Sequence, residues 1–177
     1  IGIIGAGQMG NGIAHVIALA GYNVAINDLK KEAYERALEP IDANMGRQIA
    51  KGTIKDDDRT KALARITFAP TLEAFSDCDL VIEAATEDEE LKHKIFAALC
   101  PHLKPTAMLA SNTSSISITR LAATTDRPED FIGMHFMNPV PRMELVELIR
   151  GIATEDETFA TAKAFIESLG KITAVAE

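Results

Sequence analysis

The first twelve residues constrain the fold of this chain more than any other stretch. Residues 1–4 are an apolar, β-branched run, and residues 13–20 are an alanine-rich apolar segment with a helical pattern. Between them, Gly5, Gly7 and Gly10 have the spacing of a turn that joins a buried strand to a helix. The sequence therefore predicts a strand, a tight turn and a helix at the start of the chain.

Each glycine of this turn has a separate role in a dinucleotide-binding motif. Gly5 allows the sharp turn out of the strand, and Gly7 lets a pyrophosphate approach the backbone amides at the helix N-terminus. Gly10 lets the helix pack closely on the sheet. Glycine-rich turns also occur where two backbones simply cross, so the spacing alone leaves a structural turn as the alternative.

An acidic residue further along the chain strengthens the dinucleotide interpretation. Residues 23–27 have the pattern of a second strand, which ends at Asp28, 18 positions after Gly10. A carboxylate there accepts hydrogen bonds from the adenosine ribose and repels a 2′-phosphate, so the sequence predicts NAD rather than NADP. Lys30 and Lys31 weaken this preference, and an ordinary capping role for Asp28 is the alternative.

Composition limits the number of domains and excludes several function classes. With 177 residues, 47% of them hydrophobic and 5% aromatic, the chain suits one α/β domain over residues 1–177. The net charge of −8 argues against non-specific binding to nucleic acid or to anionic membranes. No stretch has the apolar length of a membrane span, so we expect a cytoplasmic protein without nucleic-acid or membrane partners.

Neither the cysteines nor the most acidic run predicts a metal site. Cys78 and Cys100 lack the spacing of zinc ligands or of a disulfide framework, so we interpret them as buried thiols. The aspartates at residues 56–58 precede a helical pattern, where they would serve as a cap and as solvated charges. A divalent-cation site is the alternative interpretation of the three aspartates.

The rest of the chain alternates strand and helix patterns, which predicts a Rossmann-type, doubly wound, mostly parallel sheet with flanking helices. Further strands are predicted at residues 66–69, 80–83, 108–111, 131–135, 144–149 and 172–177, and helices at residues 30–51, 56–63, 89–103 and 156–169. Glu87, Lys92 and the hydroxyl and amide cluster at residues 112–115 follow strand ends, where such sheets bind ligands. Surface charge and helix capping, for example by Ser117 or Thr119, explain these residues without a function.

His135 and Glu147 are the most informative pair outside the glycine turn. Both lie in or beside predicted strands that follow the nucleotide-binding half. An imidazole exchanges a proton near pH 7, and a carboxylate on its other nitrogen fixes the tautomer and stabilises the imidazolium. Proton removal combined with hydride transfer is an alcohol dehydrogenation. A histidine packed in a strand is the alternative, because the sequence does not show that the two side chains meet.

Taken together, the motifs resemble the NAD-binding domain of 3-hydroxyacyl-CoA dehydrogenases, particularly the bacterial 3-hydroxybutyryl-CoA group. The resemblance rests on GAGQMG at residues 5–10, Glu83 to Glu87 with Lys92, SNTSS at residues 111–115, and HFMNPVP at residues 135–141 leading to Glu147. It covers essentially the whole chain. It implies an oxidoreductase of fatty acid or butanoate metabolism, which transfers a hydride between NAD and the 3-hydroxyl or 3-keto group of a short-chain acyl-CoA.

The same resemblance implies roles for individual residues. It makes His135 the catalytic base, Glu147 its orienting partner and Ser114 the contact to the substrate oxygen. It also assigns Lys51 and Asn44 to the acyl-CoA and implies no metal. The cofactor-binding residues that it implies are Gly5, Ala6, Gly7, Gln8, Met9, Gly10, Asp28, Glu87, Lys92, Ser114 and Asn138.

Length is the main departure from this family. Full members continue into a helical C-terminal domain that supplies much of the acyl pocket and the homodimer interface, so we expect a partial chain with little activity of its own. Two alternatives remain. One is a 3-hydroxy acid dehydrogenase that does not use coenzyme A, although relatives of the 6-phosphogluconate group would use a lysine in place of His135 and Glu147. The other is a module that binds NAD without turnover.

Overall fold

The computed structural model describes residues 1–176, in which eight strands alternate with six α-helices. The strands are β1 Gly2–Ile4, β2 Val24–Asn27, β3 Ile66–Phe68, β4 Leu80–Glu83, β5 Met108–Ser111, β6 Phe131–Phe136, β7 Leu145–Arg150 and β8 Ile172–Ala176. The helices are α1 Gln8–Leu19, α2 Lys31–Ala50, α3 Asp56–Ala64, α4 Glu89–Leu99, α5 Ile118–Ala122 and α6 Asp156–Ser168. Residue 177, the last position of the predicted final strand, lies outside the described residues.

All eight strands form one sheet in the order β3-β2-β1-β4-β5-β6-β7-β8. Strands β1 to β6 are mutually parallel, β7 runs antiparallel to β6, and β8 pairs in parallel with β7. The chain reverses its direction of travel across the sheet between β1 and β4. Because ligands of doubly wound sheets bind at the carboxyl ends of the strands near such a reversal, the topology itself locates a binding cleft. The predicted fold class is confirmed.

The two faces of the sheet carry different kinds of core. On one face, α1 and α2 pack aliphatic side chains such as Ile13, Ile17 and Ile41 against the strands. On the other face, Phe96 of α4 and Phe131 of β6 meet edge to face, with ring centroids 5.0 Å apart. Helices on both faces bury the whole central sheet, which is why its strands are nearly continuous apolar runs.

The glycine turn between β1 and α1 has little room for side chains. Gly5 has a φ of +102°, a conformation that residues with a Cβ rarely adopt. A Cβ built on Gly10 would lie only 1.8 Å from the carbonyl oxygen of Gly5. The first turn of α1 therefore packs directly on the end of β1. This places the N-terminus of the helix at the edge of the sheet where the strands end.

The capping roles expected for polar residues are present. The Ser117 hydroxyl accepts a hydrogen bond from the Arg120 backbone N–H and caps α5. The aspartates at residues 56–58 occupy the first turn of α3, where the Asp58 carboxylate accepts a hydrogen bond from the Lys55 backbone N–H at 2.8 Å. Within residues 1–176, no three His, Cys, Asp or Glu side chains are grouped as metal ligands would be.

The cysteines and the helices add two further observations. Cys100 is buried and Cys78 half-buried, and burial raises the pKa of both thiols. Raised thiol pKa values are typical of packed cysteines rather than of reactive ones. Among the helices of residues 1–176, none combines the length and the hydropathy that crossing a membrane requires.

Candidate active site

A cleft opens at the carboxyl ends of the parallel strands, beside the reversal between β1 and β4. Its lining residues are Met9, Ala84, Ala85, Thr86, Glu87, Lys92, Asn112, Ser114, His135, Phe136, Met137 and Asn138. They come from α1, from the loops after β4 and β5, from α4 and from the end of β6. Residues that are far apart in the sequence therefore line one site, because the strands that precede them end at the same edge.

His135 and Glu147 meet at this edge. They stand directly opposite each other in the antiparallel pairing of β6 with β7, and His135 Nδ1 lies 2.8 Å from Glu147 Oε2. An ionised carboxylate only accepts hydrogen bonds, so Nδ1 carries the proton and Nε2 of the neutral ring is left as a base. Both side chains are partly exposed, which gives Nε2 access to a ligand in the cleft.

Glu87 binds the loop that carries Ser114. Its Oε1 accepts hydrogen bonds from the Thr113 hydroxyl at 2.6 Å, the Ser114 backbone N–H at 2.8 Å and the Ser115 backbone N–H at 3.2 Å. Burial acts to raise the pKa of Glu87, but the hydrogen bonds from Thr113 and Ser114 outweigh it, and the pKa lies below its usual value. Glu87 is therefore a carboxylate at neutral pH, and it orders the loop on the cleft side of β5.

The interpretation of Lys92 as ordinary surface charge is wrong. Its side chain is buried, and its Nζ donates a hydrogen bond to Glu83 Oε2 at 2.5 Å. Sequence reasoning assigned no role to Glu83, which ends the otherwise apolar strand β4 and is fully buried. The available signal was a glutamate at the end of a buried strand with a lysine on the next helix.

A second cavity surrounds the N-terminus of α1. It is lined by Ala6, Gly7, Gln8, Asn11, Asp28, Ala33, Arg36 and Ala37. Asp28 Oδ2 accepts a hydrogen bond from the Ala6 backbone N–H at 2.9 Å, which ties the acidic residue to the glycine turn. Gly7 is the N-cap and provides no side-chain cap for α1. The first N–H groups of the helix therefore face the cavity, an arrangement that suits a pyrophosphate.

Two side-chain amides connect the parts of the cleft. Gln8 Nε2 donates a hydrogen bond to Asn138 Oδ1 at 3.3 Å, which links the glycine turn to the loop after β6. Asn112 Oδ1 accepts a hydrogen bond from the Phe136 backbone N–H at 2.8 Å. The loop after β5 thus fixes the end of the strand that carries His135.

The two residues assigned to coenzyme A lie away from these cavities. Lys51 is exposed at the C-terminal end of α2. Asn44, within α2, accepts a hydrogen bond from Arg47 Nη2 through its Oδ1. Neither lines the cavities around His135, so their assignment to the substrate stays a prediction.

The comparison that decides the family covers the whole chain. Residues 1–177 match the family described as 3-hydroxyacyl-CoA dehydrogenase, NAD binding domain. The chain belongs to this family. The fold is accordingly that of an NAD-binding domain, and the predicted cofactor, NAD, is confirmed at the level of the family. The roles of the glycine turn and of Asp28 in binding it stay predictions.

Named relatives of the 3-hydroxyacyl-CoA dehydrogenase family are similar over nearly all of the chain. A 3-hydroxybutyryl-CoA dehydrogenase of Bradyrhizobium diazoefficiens is 60% identical over 177 residues, which are 100% of this chain and 60% of that protein. A fatty acid oxidation complex subunit alpha of a Psychrobacter species is 39% identical over 98% of this chain and 24% of its own length. The crystal structure of an (S)-3-hydroxybutyryl-CoA dehydrogenase from Ralstonia eutropha superposes with a TM-score of 0.95 at 46% identity, covering 99% of this chain and 63% of that one.

Proposed function

We propose that this chain is the NAD-binding part of a longer NAD-dependent 3-hydroxyacyl-CoA dehydrogenase. Its reaction would interconvert the 3-hydroxyl and 3-keto groups of a short-chain acyl-CoA in fatty acid or butanoate metabolism. The observation that carries the proposal is the His135–Glu147 pair, 2.8 Å apart, on the same sheet edge as the glycine turn. The names of the similar proteins support the acyl-CoA substrate. The chain spans about 60% of the length of these first curated relatives, so the activity of the whole protein is part of the proposal.

Three side chains would act at the substrate oxygen, each in a different role. Ser114 Oγ binds and positions the oxygen, and His135 Nε2 removes the hydroxyl proton as the C–H bond at C3 breaks. Glu147 stabilises the imidazolium that forms, because its carboxylate accepts the hydrogen bond from Nδ1. Bound NAD⁺ would accept the hydride, so proton and hydride together account for the two hydrogens that the alcohol loses.

The cofactor-binding assignment follows the two cavities. The backbone of residues 5–10 would hold the pyrophosphate, and Asp28 the adenosine ribose. Glu87, Lys92, Ser114 and Asn138 line the adjoining cleft, where the nicotinamide end would be bound.

The rest of the proposal concerns the whole protein. We assign residues 1–177 to one domain. A following helical domain would supply the remainder of the acyl pocket and a homodimer interface. Lys51 and Asn44 would contact the coenzyme A part of the substrate, where a cation suits an anionic ligand. The protein would act in the cytoplasm, without a membrane or nucleic-acid partner.

The test is NADH formation by the full-length protein with 3-hydroxybutyryl-CoA and, separately, with free 3-hydroxybutyrate. We expect turnover with the thioester alone, and its loss in a His135→Gln variant that still binds NADH. Turnover with the free acid alone would favour a dehydrogenase that does not use coenzyme A. Tight NADH binding with no turnover on either compound would identify a binding module instead.

We predict that the chain prefers NADH to NADPH, by at least about tenfold in Kd, because Asp28 places a negative charge beside the ribose 2′ position. The measurement is fluorescence titration with both cofactors at equal ionic strength. Asp28→Asn is the matched variant, since its amide oxygen can still accept the hydrogen bond from Ala6, and it should narrow the ratio. Equal or tighter binding of NADPH by the unmodified chain would contradict the prediction.

We predict that two alanine substitutions in the glycine turn affect different properties, one the stability of the fold and the other the binding of NADH. Gly10→Ala should cost roughly 3 kcal/mol of unfolding free energy or more, because its Cβ would lie 1.8 Å from a backbone oxygen. Gly7→Ala should leave stability nearly unchanged, since its Cβ meets no atom within 4 Å, but weaken NADH binding about tenfold by blocking the pyrophosphate.

Thermal unfolding and NADH titration of both variants distinguish these effects. A Gly7→Ala chain that binds NADH normally would show that the pyrophosphate does not approach the turn at this position.

A further inference from the structure

A buried charged cluster lies beneath the cleft and consists of Glu83, Lys92 and Ser111. The exposed fractions of the three residues are 0%, 1% and 0%. Glu83 Oε2 accepts hydrogen bonds from Lys92 Nζ at 2.5 Å and from the Ser111 hydroxyl at 2.8 Å. Its other oxygen, Oε1, accepts a hydrogen bond from the Ala85 backbone N–H at 2.8 Å. One carboxylate therefore joins the end of β4, the end of β5 and the helix α4.

Stability alone does not account for this cluster. Removing two charges from water costs several kcal/mol for each ion, and the attraction between them often does no more than offset that cost. Apolar residues of similar volume would serve the packing at least as well. The residues around the cluster in the central sheet are apolar, for example Ile82 beside Glu83 and Ala110 beside Ser111. The charges stand at the strand ends, where the cleft begins.

Lys92 also connects the buried cluster to the surface of the cleft. Its Nζ lies 3.8 Å from Glu87 Oε2, so the ammonium stands between two carboxylates. The opposite oxygen of Glu87 receives the hydrogen bonds from the loop that carries Ser114. A continuous series of contacts thus runs from Glu83 through Lys92 and Glu87 to Ser114.

From these contacts we infer that Glu83 is a positioning residue for the cofactor end of the cleft: it fixes the Lys92 ammonium and, through it, the Glu87 carboxylate. Glu83 is itself shielded from the cleft, so its charge acts through Lys92, while its hydrogen bonds to Ala85 and Ser111 need only an acceptor oxygen, which glutamine also provides. Without its charge, the Lys92 ammonium would lose its buried partner and turn towards Glu87 and the solvent of the cleft. The inference rests on the assignment of this cleft to the cofactor in the proposed function.

The deciding experiment is a double-mutant cycle of Glu83→Gln and Lys92→Met, read as the Kd for NADH of this chain well below its unfolding temperature. We expect Glu83→Gln alone to raise the Kd about tenfold, the scale of a misplaced charge-assisted contact. In the Lys92→Met background, the same change should alter the Kd less than twofold. Glu90→Gln is the matched control, because it removes an exposed carboxylate from the same helix, and it should bind NADH normally.

Stability measurements separate positioning from packing. The double variant has neither buried charge, so its unfolding temperature should recover relative to Glu83→Gln, while its NADH affinity stays low. If affinity recovers together with stability, or if folded Glu83→Gln binds NADH like the unmodified chain, the inference is overturned. Should Glu83→Gln not fold, Glu83→Asp replaces it in the cycle: a tenfold weaker Kd supports the inference, and an unchanged one overturns it.

A second measurement separates a failure of this inference from a failure of the proposed function. The same cycle measured as kcat of the full-length protein should show the same non-additivity. If the unmodified full-length protein forms no NADH from 3-hydroxybutyryl-CoA, the proposed function fails, while the NADH titrations still decide the role of Glu83.

Discussion

Replacing Glu147 with glutamine is expected to lower kcat of the full-length protein on the order of a thousandfold, while Kd for NADH changes less than about threefold. Glutamine keeps the size of the side chain, and its amide oxygen can still accept the hydrogen bond from His135 Nδ1 at the observed 2.8 Å. The variant loses only the negative charge. A thousandfold loss corresponds to about 4 kcal/mol of transition-state stabilisation, the amount that a carboxylate hydrogen-bonded to a catalytic imidazolium can supply.

Cofactor binding should be nearly unaffected because its main contacts lie elsewhere. The turn at residues 5–10 and Asp28 are at β1 and β2, whereas Glu147 is on β7. Single-turnover and steady-state rates with 3-hydroxybutyryl-CoA measure the chemical step, and NADH titration measures binding. Glu144→Gln is the matched control, because Glu144 is an exposed carboxylate in the loop just before β7. A Glu147→Gln enzyme with near-normal kcat would show that the pair is not coupled in the reaction.

Much of this fold could be predicted from the sequence because it depends on local signals. The order of strands and helices follows from apolar periodicity and from the glycines, since parallel strands buried on both faces must be continuous apolar runs. The glycine turn and Asp28 depend on fixed spacings within one strand–helix–strand unit. The contact between His135 and Glu147 is of another kind. It depends on the register between β6 and β7, which the loop between them does not specify in any local pattern.

The buried charges show where sequence reasoning fails in physical terms. Lys92 has the polarity and the helical position of a surface residue, and only the packing of α4 over the ends of β4 and β5 encloses it. The sequence shows Glu83 as a charge at the end of an apolar strand, but its ionic partner, Lys92, comes from the following helix. Burial of an ion pair is a property of three elements packed together, so no single window of sequence contains it.

Exposed apolar residues near one edge of the sheet affect the oligomeric state and the activity that we expect of this chain by itself. Beyond β6 the sheet ends in β7 and β8, and β8 is the last strand in the order among residues 1–176. Four large apolar side chains are exposed in this region: Leu145 at 37%, Ile152 at 90%, Ile172 at 60% and Val175 at 56%. Large apolar side chains exposed in one region of the surface are candidates for packing against another part of a protein.

The His135–Glu147 pair lies beside the same region. A groove beside His135 and Glu147 is lined by the hydroxyl-rich loop after β5 and, at its far end, by Ala176 of β8. Its lining residues come from β6, β7, β8, the loop after β5 and the start of α5. In the proposed full-length protein, the following helical domain would supply the facing wall. Positioning of two reactants contributes several orders of magnitude to an enzymatic rate, and that contribution requires walls on both sides of the reacting groups.

We therefore expect this 177-residue chain to bind NADH, to be largely monomeric and to oxidise 3-hydroxybutyryl-CoA at least about a thousandfold more slowly than the full-length protein. NADH binding should persist because the glycine turn, Asp28 and the cleft at the strand ends all belong to one core that can fold alone. Sedimentation velocity gives the oligomeric state, and an NADH-linked assay gives the rate. Replacing Ile172 and Val175 with threonine, which suits an exposed strand, should leave NADH affinity unchanged and reduce self-association at high concentration. A stable dimer of the unmodified chain with turnover equal to that of the full-length protein would contradict the prediction, because the sheet edge would then complete the acyl pocket without further chain.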